Sequence, residues 1–239
     1  QASPADAGTQ NEKGFKSGQA SVGSQPFPPK WAPKAEELLR GFFDRQEVEV
    51  AKQLGTKSAI DFWDADRWDE ELAVVLYGLA FAVNGEVGEH AARQLGEDPS
   101  KYSAARASKY LREMSETRAK WINDKTEEAV AAAVRNQEPL EDVFEHVRVK
   151  RLAVIAAAFV AAVAGWSVRE AAHQLVPGRG YKQWVVTSGN PRDSHAAMDG
   201  ERAPVELPFS NGMDWPGDPV AGVDEVAGCM CGVELVMGL

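Results

Sequence analysis

The sequence predicts a mainly α protein: an N-terminal helical bundle followed by a small C-terminal α+β domain with a short antiparallel sheet. Three observations predict it. Apolar residues recur at helical spacing from Ala35 to about Leu175. At Pro177-Gly-Arg-Gly180 helix formers thin out, and Gly and Pro become dense. Beyond that point a run rich in aromatic and β-branched residues at 181–188 reads as a strand, and 228–236 reads as a second. The expected organisation is a flexible arm or linker over 1–32, a helical domain over 33–176 and the α+β domain over 177–239.

The arm is Gly, Ser, Pro, Ala and Gln with a few charges and no apolar run, so it lacks a signal-peptide pattern. Such a composition buries too little apolar surface to offset the entropy of ordering. Trp31-Ala-Pro33 precedes the first helix, with Pro33 at or near its first turn. Leu38, Leu39, Phe42, Phe43 and Val50 form its apolar stripe, and Gly55 closes it. Ile60, Phe62 and Trp63 make a short apolar patch. Asp66 or Asp69 is the expected cap of the next helix, since a side-chain oxygen there accepts a free backbone N–H. Leu72, Val75, Leu76, Leu79, Phe81 and Val83 supply its apolar residues, and Gly96 and Pro99 mark its end near Leu95.

Ser103 is the expected cap of a third segment, whose stripe is Tyr110, Leu111, Met114, Trp121 and Ile122. Lys120, Asn123 and Asp124 interrupt that stripe, which predicts a break near 115–118. An Ala- and Glu-rich helix over 126–136 follows. Pro139 then opens an amphipathic segment leading into LAVIAAAFVAAVAGW at 152–166. Those fifteen residues are shorter than the roughly 20 of a bilayer span, and their many alanines suit close helix packing in a core. The reading is a buried helix, not a membrane anchor. His90, His146 and His173 stand far apart, and the bundle offers no phosphate loop, no metal-ligand spacing and no catalytic residue.

In the C-terminal part, Gly189-Asn-Pro191 reads as a turn. Asp193 or Ser194 is the expected cap of a helical turn that carries His195 and ends at Gly200. The segment 205–209 reads as extended, restricted to an edge by Pro204 and Pro208. Asn211-Gly212 is a turn and Trp215-Pro-Gly-Asp-Pro219 a rigid loop. Cys229 and Cys231, two apart on the last strand, are expected on one face.

Composition narrows the function. The 239 residues carry 26 Lys and Arg against 36 Asp and Glu, a net charge of -10, which gives no support for strong DNA binding over the whole surface. A local basic patch is not excluded by that total. Hydrophobic content of 44% and charged content of 26% exclude a wholly disordered or collagen-like chain. Two cysteines exclude a disulfide-rich scaffold.

The string KQWVVTSGNPRDSHAAMDG, then PF, then WPGDP, then DEVAGCMC, resembles the signature of the phage Mu F-like minor head protein family. The shared elements fall on Lys182 and Trp184, on Arg192, Ser194 and His195, on Asp199 and Gly200, and on Phe209. They continue through Pro216, Gly217, Asp218 and Pro219 to Glu225, Cys229 and Cys231. The resemblance covers about residues 181 to 236, a quarter of the chain, and Gly228 stands where the family pattern has Asn. It implies a minor capsid protein of head morphogenesis in a tailed bacteriophage. The implied partners are the portal protein and the major capsid protein, with at most weak DNA contact inside the head and no membrane. The implied location is the capsid interior near the portal, and the host cytoplasm during procapsid assembly. The opening Gln1 in place of Met fits a portal-fused or processed form.

Three readings of the motif stay open. His195, Cys229 and Cys231 suit Zn²⁺, with Asp199, Asp218 or water as the fourth ligand. Against this, Cys-x-Cys on a regular strand sets the two Cβ atoms about 6–7 Å apart, so convergence needs a bend at Gly228 or Gly232. A cysteine nucleophile with His195 as base would make a small thiol-dependent enzyme, though nothing marks an oxyanion hole. Zinc deaminase chemistry is excluded, because it needs His-x-Glu and Cys-x-x-Cys. In the structural reading the motif builds a thin domain around Trp184 and Trp215, with no catalytic residue and no cofactor.

Overall fold

The computed structural model describes residues 30–56 and 62–236. Its helices are α1 (Trp31–Thr56), α2 (Ala65–Gln94), α3 (Ser108–Asn136), α4 (Leu140–His146) and α5 (Leu152–Leu175). A π-helical turn, Val147–Arg151, joins α4 to α5. Strands β1 (Tyr181–Val185), β2 (Arg202–Pro204) and β3 (Gly232–Val236) form one sheet in the order β2-β1-β3, with both pairings antiparallel. The short helices α6 (Asp193–Ala196) and α7 (Val223–Val226) lie in the connections. The protein is therefore mainly α with a small antiparallel sheet near the C-terminus, as the patterning predicts.

Periodicity explains the packing. Leu39, Phe42, Phe43 and Val50 of α1 are fully buried, and Phe42 meets Trp68 of α2 edge to face at 6.0 Å. Helix α5 is buried almost all round from Ala156 to Val168, which only an apolar helix enclosed by neighbours tolerates. It touches α1, α2 and β3. One buried apolar cluster runs from α1 through α5 to Trp184, Cys229 and Val233.

Several expectations are corrected. Helix α1 starts at Trp31, inside the expected arm, and runs one residue past Gly55; residues 1–29 and Ile60 lie outside the described residues. Asp64, not Asp66 or Asp69, caps α2, its carboxylate accepting the Arg67 N–H at 3.2 Å. The cap must lie just before the first helical residue, and Asp66 and Asp69 lie inside the helix. Phe81 of α2 is exposed. Ser103 makes no side-chain cap bond and precedes a 3₁₀ turn, Ala104–Ala107.

Helix α3 is unbroken because its polar interruptions are satisfied. Lys120 pairs with Asp124 in solvent at 2.9 Å. Buried Asn123 accepts from Gln46 Nε2 at 3.2 Å and donates to Asp69 Oδ1 at 2.8 Å. The length argument against a membrane span also fails. Leu140–Leu175 is continuous over 36 residues, and both it and Ala65–Gln94 are long and apolar enough to cross a membrane. Burial carries the core reading instead: 72% of the apolar window of Leu140–Leu175 lies inside the protein.

In the C-terminal part β1 stops at Val185 and β3 starts at Gly232, so both strands are shorter than the runs that predict them. The second strand is Arg202–Pro204, and the chain turns from Val205 onward where an extended segment was expected. Pro204 ends this edge strand, having no N–H to donate. Neither Asp193 nor Ser194 caps α6. Arg192 occupies the cap position without a side-chain cap bond.

Candidate functional site

The motif residues divide between two adjoining clusters, and β1 supplies a side chain to each. Lys182 and Trp184 alternate with partly exposed neighbours, so both point inward from the same face. Phe209 lies between them, 4.9 Å from the Lys182 ammonium and 5.3 Å from the Trp184 ring. Asp199 and Gly200 close the end of β1. Asp199 Oδ1 accepts the Val186 N–H at 2.9 Å, and the Gly200 N–H donates to the Trp184 carbonyl at 2.9 Å.

The first cluster anchors the Pro216–Pro219 loop onto α3 and α5. The fully buried Lys182 ammonium donates to the Asp214 carbonyl at 2.7 Å, and Arg169 of α5 pairs with the Asp214 carboxylate at 3.1 Å. Asp218 accepts the N–H groups of Asp214 and Val220 at 3.0 and 3.1 Å. Arg118 of α3 donates to the Gly217 carbonyl at 2.7 Å. Tyr110 stacks on Trp166 at 4.6 Å and meets Trp215 edge-on at 5.5 Å. Burial lowers Lys182 to about 8 and Arg118 to about 10, and it raises Asp218. Asp214 and Asp218 oppose the Lys182 shift, Tyr110, Cys229 and Asp218 oppose the Arg118 shift, and the backbone donors oppose the Asp218 shift. The polar contacts of Lys182, Arg169, Arg118 and Asp218 all run to the loop or its flanks, so this cluster holds the loop in place, while Tyr110 Oη, Arg118 Nε, Arg169 Nε and Trp215 Nε1 are buried without a hydrogen-bond partner.

The second cluster is chemical. His195 on α6 faces Cys229 and Cys231, which lie just before β3 and not on it, so the shared strand face is not the geometry that forms. Gly228 turns the chain with φ +71°, a left-handed conformation that glycine adopts readily. Arg192 donates to the Ala227 carbonyl, and Thr187 donates to the Met230 carbonyl. These two tethers bring the segment against α6.

As a result His195 Nδ1 lies 3.4 Å from Cys229 Sγ and 3.7 Å from Cys231 Sγ. The three ligand atoms all lie within 4.8 Å of one another. On the other side of the ring, Nε2 approaches Glu225 Oε2 to 3.2 Å, an ion-pair distance whose angle falls short of a hydrogen bond. Ser194 Oγ donates to the same carboxylate oxygen at 3.1 Å. Trp184 packs edge-on against the imidazole at 5.4 Å.

The cysteines are free and act as a pair. A hydrogen bond from Cys231 lowers Cys229, helped by His195, and the same bond raises Cys231. The two thiols therefore titrate as a pair, the first proton leaving more readily than the second. The aspartates expected as a fourth ligand do not join the cluster. Asp199 is spent on the β1 end and Asp218 on the loop, and the ligand group among the described residues is His195, Cys229 and Cys231 alone.

Sequence reasoning found the motif residues and missed their supports. Arg118 and Thr187 carry no local signal. Arg169 is the first charge after the long apolar run of α5, and that placement was a usable hint of a buried ion pair. His90, His146 and His173 are exposed and apart from both clusters. Comparison with known protein families, with curated proteins and with solved structures finds no match to this chain.

Proposed function

We propose that this chain is a minor capsid protein of head morphogenesis in a tailed bacteriophage, working with the portal protein and the major capsid protein at the procapsid interior. The observation that supports this reading is convergence. Residues that resemble the Mu F-like signature are scattered over 182–231 in sequence, yet each has a place in one of two adjoining clusters or in the β1 end that links them.

The alternative reading is a small zinc- or thiol-dependent enzyme. Burial favours assembly over catalysis: His195, Cys229 and Cys231 are only 2%, 5% and 3% exposed. The test is denaturing mass spectrometry of purified particles. The expected result is a species containing this sequence at a few copies per particle. A species starting at Gln1 makes it a separate chain, and a larger one makes it part of a portal fusion. Absence from particles overturns the proposal.

A further inference from the structure

We propose that His195, Cys229 and Cys231 bind one zinc ion per chain as a buried structural centre. The proposal goes beyond the assembly reading and does not depend on it.

Distances carry the argument. Tetrahedral zinc with metal–sulfur bonds of about 2.3 Å and metal–nitrogen bonds of about 2.0–2.1 Å sets a sulfur and a nitrogen about 3.6 Å apart. The two Nδ1–Sγ separations are 3.4 and 3.7 Å, on either side of that edge length. Two edges of the ligand triangle thus already have the length that zinc requires, and the third, between the sulfurs, is within 4.8 Å. It is reached without the usual Cys-x-x-Cys spacing, because Gly228 and the Arg192 and Thr187 tethers bend the chain.

The imidazole is also oriented for the task. Nδ1 faces the sulfurs while Nε2 lies 3.2 Å from the Glu225 carboxylate without a hydrogen bond to it; a small turn of the ring would make that bond, with the proton on Nε2 and the lone pair on Nδ1. A carboxylate behind a metal-binding histidine fixes that tautomer and strengthens the ligand. Ser194 holds the carboxylate in turn. Charge balance suits burial: zinc displaces the thiol protons to solvent, and two thiolates cancel its 2+ charge. The described residues supply these three ligands and no fourth.

The test uses the whole chain, reduced and purified without chelator. Elemental mass spectrometry is expected to find about one zinc per chain. After zinc is stripped, titration with Co²⁺ is expected to give a sulfur-to-cobalt charge-transfer band and the intense visible bands of a tetrahedral ion. Cys231→Ser and His195→Gln should abolish the charge-transfer band or cut it sharply. Glu225→Gln should keep it while weakening affinity by about 10–100-fold. Zinc-free protein that gives no such band with Co²⁺ overturns the proposal, as does zinc content unchanged in both ligand variants. If the variants do not fold, the wild-type titration decides alone. Particle mass is read without reference to metal, so the two proposals fail separately.

Discussion

Gly217 and Ala162 stand so close that a Cβ at position 217 would lie 2.7 Å from the Ala162 Cβ. The loop touches the alanine face of α5 with bare backbone, and Gly217 also holds φ +88°. Here the motif glycine and the Ala-rich helix explain each other. A larger residue on either side would lift Pro216–Pro219 away from the bundle.

Gly217→Ala is therefore expected to destabilise the protein by about 2–4 kcal/mol, through overpacking and left-handed strain together. Adding Ala162→Gly should relieve the overpacking and leave the strain. Urea unfolding of the two single variants and the double variant checks this. Additive losses would show that the contact is not what forbids a side chain at 217.

Asn84 is a buried polar hub between helices. Its amide donates to Tyr102 Oη at 2.7 Å and to Ser167 Oγ at 2.9 Å, and Ser167 donates to the Val163 carbonyl at 2.6 Å. Asn84→Ala should cost about 1–3 kcal/mol, because it strands buried acceptors and opens space. Thermal unfolding followed by circular dichroism gives the loss. A neutral result would mean that the hub contributes nothing net.

Lys182 makes stability depend on pH. Burial holds the folded ammonium at about 8, against an ordinary lysine value of 10.5, while Asp214 and Asp218 pull it up and Arg169 pulls it down. Between those two values the unfolded chain binds more protons than the folded one, so unfolding free energy rises with pH. Wild type should therefore gain stability relative to Lys182→Met between pH 8 and 10. Urea midpoints of both proteins at the two pH values, compared as a difference, provide the measurement. A difference independent of pH contradicts the assignment.

Arg148 pairs with Asp44 and Glu47 of α1 near the protein surface. Ion pairs of this kind contribute about 0–1 kcal/mol, and salt screens them. Arg148→Ala should cost less than about 1 kcal/mol, with the effect shrinking in high salt. A large, salt-independent loss would point to packing of the arginine stem in its place.

The helices were legible because burial on one face leaves a period in the chain. Leu39, Phe42 and Phe43 mark α1 wherever they are read, and the Ala-rich run of α5 announces an enclosed helix. Helix α3 was divided wrongly because Lys120, Asn123 and Asp124 read in one dimension as interruptions of the apolar stripe. Asn123 is in fact buried, and its partners Asp69 and Gln46 come from distant parts of the chain. The cap of α2 was missed by two residues, since several aspartates compete locally and only backbone geometry selects Asp64.

The sequence by itself determined the fold class, the change of character after Pro177 and the set of residues that carry the motif. Local propensity and hydrophobic period act over a few residues, so they survive reading along the chain. Only the tertiary structure decided that His195 meets Cys229 and Cys231 at metal-ligand distance. Spacing along a straight strand argued against it. What reverses that is a left-handed turn at Gly228 and two hydrogen bonds from Arg192 and Thr187, residues 35 and 43 positions from the carbonyls they hold. Contacts of that range follow from how the chain packs, and no local pattern encodes them.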